Sequence, residues 1–138
     1  MPAPGRLIVN IDVDDLLRGE LFYTEAFALA VSRRMPGAVE LSGWQSPVFL
    51  LEKPEGSAAV AGLSATRSYH RHWTPVHIDV VVPDLSAALE RAVAAGAVPE
   101  GRVRCEIWGN IAAVADPFGH GLCLIELTGK GYDEIAQY

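Results

Sequence analysis

The chain has 138 residues, of which half are apolar and a fifth are charged, and its formal net charge is −6. This length suits one domain with a substantial core, and the composition excludes the disordered and the membrane-spanning classes. The negative charge, without a run of lysine or arginine, argues against nucleic acid as a partner.

The N-terminal residues carry no positive segment followed by an uninterrupted apolar run, so the sequence predicts no secretory signal. Cys105 and Cys123 are too few for a disulfide framework and lack the spacing of a metal motif. Two buried thiols in a reducing compartment are the simplest interpretation. We therefore expect a cytoplasmic protein that has no membrane partner.

The first half of the chain is predicted to form β-α-β-β-β. Alternation of apolar and polar residues over 7–13 indicates a strand with one apolar face. Asp14 or Asp15 is expected to cap a helix that lies against this face. The apolar residues of that helix recur at helical spacing, namely Leu17, Leu21, Phe22 and Phe27. Three further strands are predicted, at 30–35, 38–42 and 48–53.

The second half is predicted to repeat the same order after a linker rich in Gly, Ala and Ser. Residues 76–82 alternate like a strand, and Asp84 precedes a helix that Gly96 should end. The residues expected on the inner face of this helix are Leu85, Leu89 and Val93. Strands follow at 98–107, 111–115 and 122–128, the last two joined by a type I turn over 116–119.

The repeat is the most informative feature of the sequence. Val13-Asp14-Asp15-Leu16 matches Val82-Pro83-Asp84-Leu85, in each case where a strand leads into a helix. We predict one α+β domain over 1–138 built from paired βαβββ modules, with mixed curved sheets around a shared cavity. The modules are expected at about 5–54 and about 74–130, with the linker at about 55–73. The polar residues of the two leading strands should line the cavity, namely Asn10, Asp12, His77 and Asp79.

The order of these motifs resembles a known superfamily. The first half has a strand, V-x-D-L, a helix ending in Phe22-Tyr23 and three strands, and the second half repeats this order with D-P-F-G-H-G over 116–121 before its last strand. This arrangement is similar to the vicinal oxygen chelate superfamily. That superfamily contains glyoxalase, bleomycin-resistance and dioxygenase members. The resemblance covers nearly the whole chain and implies the fold. It does not imply one activity, because members of the superfamily include lyases, dioxygenases, isomerases and non-catalytic drug-binding proteins.

The resemblance also implies positions for a divalent metal, held in metal-dependent members by one side chain from the first and last strand of each module. His77 lies five residues before Val82 and matches the position in the second module. The same offset in the first module falls on Ile8, which cannot coordinate a metal. A competing alignment sets Asn10 opposite His77, but asparagine is a poor ligand.

The last strands of the two modules match the metal-ligand positions of the superfamily no better. Cys123 stands where those members commonly have a glutamate, and a thiolate is not the hard oxygen ligand expected there. Glu52 is the candidate in the other module, although Leu50 or Leu51 fits comparably. Too few donors remain for a tight divalent site. We expect no cofactor, and any metal would use His77, Glu52 and Cys123.

The candidate site residues have alternative interpretations. His77 is the first catalytic candidate, as a hydrogen-bonding or proton-accepting imidazole, although it can also be satisfied by a backbone carbonyl. Asp79 is the second, as its acid–base partner. Asp12 and Asp79 can instead pair with Arg33 or Arg34. The ligand-binding candidates are Asn10, Asp12, Glu52, His72, Trp73, Trp108 and Cys123.

Three of these have structural alternatives. His72 and Trp73 belong to an aromatic and cationic segment, which can act as a lid over a ligand or as the end of a linker whose Trp73 fills the module interface. Trp108 can form a cavity wall or a dimer contact. Glu126 is expected to cap a sheet edge.

The leading functional hypothesis is a pocket that binds a small organic molecule without a complete metal site. The alternative is an enzyme, either a metal-dependent lyase or dioxygenase or a metal-free isomerase that uses His77. A third possibility is a structural or regulatory dimer with a vestigial cavity. In each case we expect a homodimer, because half of the residues are apolar.

Overall fold

The computed structural model describes residues 3–138 and contains two compact units, the first ending at Tyr69 and the second beginning at His70. The first unit consists of β1 (Val9–Val13), α1 (Leu16–Phe27), β2 (Ala30–Met35), β3 (Ala38–Ser42) and β4 (Val48–Glu52). The second consists of β5 (Ile78–Val81), α2 (Leu85–Ala95), β6 (Val98–Glu106), β7 (Gly109–Ala115), β8 (Gly121–Leu127) and a 3-10 helix at Gly131–Glu134. The predicted order of elements is confirmed in both halves.

Each unit contains one open, four-stranded mixed sheet. The strand orders are β1-β4-β3-β2 and β5-β8-β7-β6. In each sheet the first and last strands of the unit pair in parallel, and the remaining pairs are antiparallel. The helix crosses over from the first strand to the second, which lies at the opposite edge of the sheet. The predicted α+β class is confirmed, and the repeat in the sequence corresponds to a repeat in topology.

The two helices begin in the same way, as the repeat predicts. The Asp15 carboxylate accepts a hydrogen bond of 3.0 Å from the Arg18 N–H, and the Asp84 carboxylate accepts one of 3.1 Å from the Ala87 N–H. Each aspartate therefore satisfies a backbone donor that the first turn leaves without a partner. Of the two possible caps of the first helix, the structure uses Asp15.

A second carboxylate reaches the start of each helix from the neighbouring parallel strand. Glu52 in β4 accepts a 2.9 Å hydrogen bond from the Leu16 N–H, and Glu126 in β8 accepts one of the same length from the Leu85 N–H. The positive end of the helix dipole favours a negative charge there. Glu52 and Glu126 occupy equivalent positions in the two units. The sequence alone does not show that they cap the helices, because each glutamate is far along the chain from the helix it contacts.

The inner face of α1 differs from the predicted one. Leu17 and Leu21 are 66% and 51% exposed, so their predicted packing against β1 is wrong. The residues that face the sheet are Gly19, Phe22, Tyr23 and Ala26. A Cβ at Gly19 would lie 3.1 Å from a methyl group of Val13, so the missing side chain lets the helix approach the sheet closely.

The inner face of α2 was predicted more accurately. Leu85 and Ala92 are buried and Leu89 is half-buried, but Val93 is 42% exposed. The helix ends at Gly96 as predicted, and the Gly96 N–H returns to the Val93 carbonyl at 3.0 Å. Of the helices that residues 3–138 form, none combines the length and the apolar character needed to cross a membrane.

Candidate functional site

One face of the second sheet brings together three of the predicted site residues. β5 and β8 are parallel with Asp79 beside Cys123, and β7 places Ala113 on the other side of Cys123. Residues paired in register project from the same side of a sheet, and neighbours along a strand project from opposite sides. Val80 and Leu124 therefore form part of the opposite face, which is buried.

His77, Asp79 and Cys123 form a polar cluster on this face. His77 Nε2 lies 3.1 Å from Asp79 Oδ1, and the two side chains are 39% and 41% exposed. Cys123 is only 8% exposed, and one possible ligand atom from each of the three residues lies within 4.8 Å of the others. Burial raises the pKa of the Cys123 thiol, and the adjacent Asp79 carboxylate raises it further. The cluster thus joins an accessible imidazole to a protonated, nearly buried thiol.

A groove of about 250 Å³ adjoins this cluster at Cys123. Its lining residues all belong to the second unit and are Glu100, Gly101, Arg102, Arg104, Ile111, Ala113 and Cys123. Ile111 and Ala113 follow the same face of β7, which gives the groove an apolar floor. A groove with an apolar floor and a few polar groups at its edge is the usual form of a small-molecule site.

Trp73 lies beside this face and contacts His77. The two rings are perpendicular, with centroids 5.9 Å apart. The Trp73 indole N–H donates a 2.8 Å hydrogen bond to Glu100, and the Arg71 guanidinium lies 4.8 Å above the indole ring. A Cβ at Gly121 would lie 2.5 Å from the indole, so only glycine permits this contact. Trp73 is therefore held between β8 and the groove-lining Glu100.

His72 is attached to the turn before β8. Its Nε2 lies 3.1 Å from His120 Nδ1, and its backbone N–H donates to the Gly119 carbonyl at 2.9 Å. The turn itself is the predicted one, since the Gly119 N–H bonds to the Asp116 carbonyl at 3.3 Å. His72 thus anchors the segment that carries Trp73.

The first unit places its candidate residues in different surroundings. The Asp12 carboxylate accepts a 2.7 Å hydrogen bond from Arg67 Nε, and Arg67 also donates to the Ala59 carbonyl at 3.3 Å. Asn10 is exposed two residues earlier in β1. Arg67 belongs to the predicted linker, which folds into a hairpin with a bridge between Ala58 and Thr66. The Asp12 carboxylate therefore connects this hairpin to β1.

The alternative partners considered for Asp12 and Asp79 are engaged elsewhere. Arg33 pairs with Glu40 at 2.8 Å, and Arg34 pairs with Glu20 at 2.7 Å. Hydrogen bonds from Arg33 and then from Ser32 lower the pKa of Glu40 to about 2. The suggested pairing of either aspartate with Arg33 or Arg34 is therefore wrong.

The last two candidates, Glu52 and Trp108, lie outside the cluster. Glu52 pairs in register with the fully buried Val13 and caps α1. Trp108 lies in the turn between β6 and β7, where its ring contacts Tyr132 with centroids 5.1 Å apart.

Sequence reasoning missed the residues of β6 that line the groove. Arg102 and Arg104 alternate with Val103, which is a visible period-two signal. The pairing of β6 with β7 is irregular between Glu100 and Arg104, so alternation alone does not predict which face the arginines occupy.

A sequence profile described as a glyoxalase-like domain matches residues 8–125. An uncharacterized protein of Mycobacterium bovis is 30% identical over 120 residues, which cover 80% of this chain and 76% of that protein. An uncharacterized protein of Mycobacterium tuberculosis has the same identity over the same length, covering 68% of that protein.

Solved structures show the same fold at lower identity. A genomically encoded fosfomycin resistance protein from Listeria monocytogenes aligns with a TM-score of 0.70 and 16% identity, covering 94% of this chain and 98% of that one. A glyoxalase/bleomycin resistance protein/dioxygenase family enzyme from Burkholderia phytofirmans aligns with a TM-score of 0.68 and 17% identity, covering 88% and 97%.

Proposed function

Because the chain belongs to the glyoxalase-like domain family, with residues 8–125 matching, we propose that it binds a small organic molecule in the groove of its second unit. The observation that carries this proposal is the position of the groove, whose apolar floor at Ile111 and Ala113 adjoins Cys123 of the polar cluster. The apolar part of a ligand gains from burial on the floor, while the polar groups determine its orientation.

His77 is the group best suited to recognise a ligand hydroxyl or carbonyl. The contact of its Nε2 with the Asp79 carboxylate favours the tautomer in which Nε2 carries the proton, because a carboxylate can only accept a hydrogen bond. The second nitrogen, Nδ1, is then a lone-pair acceptor. A ligand O–H or N–H can donate to it, and in a metal-free isomerase the same atom would accept a proton from the substrate.

The proposal predicts binding of a neutral aromatic probe such as naphthalene-2-carboxamide, measured by isothermal titration calorimetry. Ala113→Leu should abolish this binding, because the larger side chain occupies the floor of the groove. Ala94→Leu adds the same atoms on the exposed surface of α2 and should leave the dissociation constant unchanged. If the Ala113 variant keeps its melting temperature and also keeps the wild-type affinity, the groove is not the binding site.

A second candidate function, a metal-dependent enzyme, is favoured by the three donors of the cluster. Ligands of a tetrahedral ion lie about 3 to 4 Å apart, and the donor atoms of His77, Asp79 and Cys123 lie within 4.8 Å of one another. The donor set fits a thiophilic ion such as Zn²⁺ better than an oxygen-preferring one, because it contains a thiol and only one carboxylate. An ion held there would polarise a ligand oxygen as a Lewis acid.

Cobalt(II) tests this second candidate through an absorption that only a thiolate ligand produces. If the cluster binds metal, Co²⁺ should generate a sulfur-to-cobalt charge-transfer band in the near ultraviolet. Cys123→Ser should eliminate the band, whereas Cys105→Ser should retain it, because Cys105 lies outside the cluster. Cys105 is exposed, so its predicted burial is wrong, whereas that of Cys123 is confirmed. A wild-type protein without the band, or a band that depends on Cys105, would exclude metal binding by the cluster and leave the metal-free site.

A further inference from the structure

The wall of the groove carries two guanidinium groups. Arg102 and Arg104 both line it, although they belong to a strand, β6, whose pairing with β7 is interrupted between Glu100 and Arg104. Gly101 lies within this irregularity at a φ of +74°, a backbone conformation that glycine adopts readily. Arg102 and Arg104 are two residues apart along this segment, and both lie at the edge of the same groove.

These positive charges are less neutralised than the negative charge of Glu100, which lines the same groove. Glu100 accepts hydrogen bonds from Arg71 and Trp73, and the hydrogen bonds from Arg71 lower its pKa. By contrast, Arg104 reaches its nearest carboxylate, that of Glu106, only at 3.9 Å. Arg102 forms no ion pair with any residue in the described range 3–138.

From this arrangement we infer that the groove selects an organic anion, a carboxylate or phosphonate attached to an apolar body. The inference rests on the proposed binding function and names the ligand class. The anionic group would lie between Arg102 and Arg104, and the apolar body would lie on Ile111 and Ala113. Guanidinium groups suit this role because their planar N–H donors match the oxygens of a carboxylate or phosphonate.

The net charge of −6 does not oppose this selection. Charges more than about 10 Å away are screened at ordinary ionic strength, so the arginines next to the ligand outweigh distant carboxylates.

The test compares two probes of nearly equal shape, naphthalene-2-carboxylate and naphthalene-2-carboxamide, by isothermal titration calorimetry with the full chain. We expect the carboxylate to bind about tenfold more tightly, since a hydrogen bond to a charged group is worth more than one to a neutral group. In the double variant Arg102→Gln/Arg104→Gln this preference should vanish, so that the two probes bind with similar affinities. Higher salt should weaken only the carboxylate.

The control variant is Arg91→Gln, which removes one exposed guanidinium from α2, outside the groove. It should retain the full preference for the carboxylate. Equal affinities for both probes in the wild type, or a preference that survives the double variant, would overturn the inference and leave the proposed function standing. If neither probe binds, both the inferred anion selectivity and the proposed binding function are overturned. Melting temperatures establish that the variants are folded.

Discussion

Gly109→Ala is expected to reduce the free energy of unfolding by about 3 to 5 kcal/mol. Gly109 begins β7 and pairs with Leu127 of β8. A Cβ at this position would lie 2.2 Å from the Glu126 carbonyl oxygen and 3.0 Å from the Leu127 Cα. Both atoms belong to the backbone, so no change of side-chain rotamer relieves the overlap. The two strands must move apart at the end where β7 begins.

Urea denaturation measures this loss, and Gly37→Ala provides the control. Gly37 has a φ of +71°, but a Cβ there would have no neighbouring atom within 4 Å. Alanine at this position would therefore lose stability only because a residue with a Cβ disfavours this left-handed backbone conformation. That preference costs about 1 to 2 kcal/mol. The interpretation of Gly109 fails if both variants lose the same stability. A further consequence concerns α2, because displacement of Glu126 would also weaken its hydrogen bond to the Leu85 N–H.

Asp116→Ala is expected to reduce the free energy of unfolding by about 2 to 4 kcal/mol. The Asp116 side chain is buried in the turn before β8. One of its carboxylate oxygens accepts hydrogen bonds from the Phe118 N–H at 2.8 Å and the His120 N–H at 2.9 Å. Alanine would leave both donors without this acceptor, and at least one of them is buried. An unsatisfied buried donor costs its full desolvation energy.

Asp116→Asn is the matched variant, because an amide oxygen can accept the same two hydrogen bonds without the negative charge. It should lose roughly half as much stability as the alanine variant. The turn also positions Gly121 under Trp73, so Asp116→Ala should shift the tryptophan emission toward that of an exposed indole. Unchanged unfolding curves for the alanine variant would show that other contacts hold this turn.

The two helices show which structural features a local sequence pattern can predict and which it cannot. A cap at Asp14 or Asp15 and a helix start at Asp84 were recognisable because a helix start depends on contacts within one turn. The face of α1 was not recognisable, since the two exposed leucines are larger and more apolar than the Gly19 that contacts Val13. Side-chain size alone favoured the wrong face, and the close approach of helix and sheet determined the observed one.

The candidate site likewise has one part that the sequence predicted and another that depends on tertiary structure. Alternation over 76–82 predicted His77 and Asp79 on one face of a strand, because successive residues of a strand project to opposite sides. The two side chains do meet, although the observed strand begins at Ile78 and His77 precedes it. Their proximity to Cys123, which comes much later in the chain, depends on the register of β5 and β8. The position of Arg102 and Arg104 beside Cys123 depends on the pairing of β6 with β7 and of β7 with β8.

By itself, therefore, the sequence determined the α+β class, the repeated βαβββ order, the helix caps and the turn at 116–119, because each of these follows from local propensity or from a motif that occurs twice. Tertiary structure alone decided which carboxylates cap helices from a neighbouring strand, as Glu52 and Glu126 do, and which polar groups meet at the groove. The physical reason is that strand register and the bulge in β6 are set by packing between distant segments, and a one-residue shift in either would move every side chain to the opposite face.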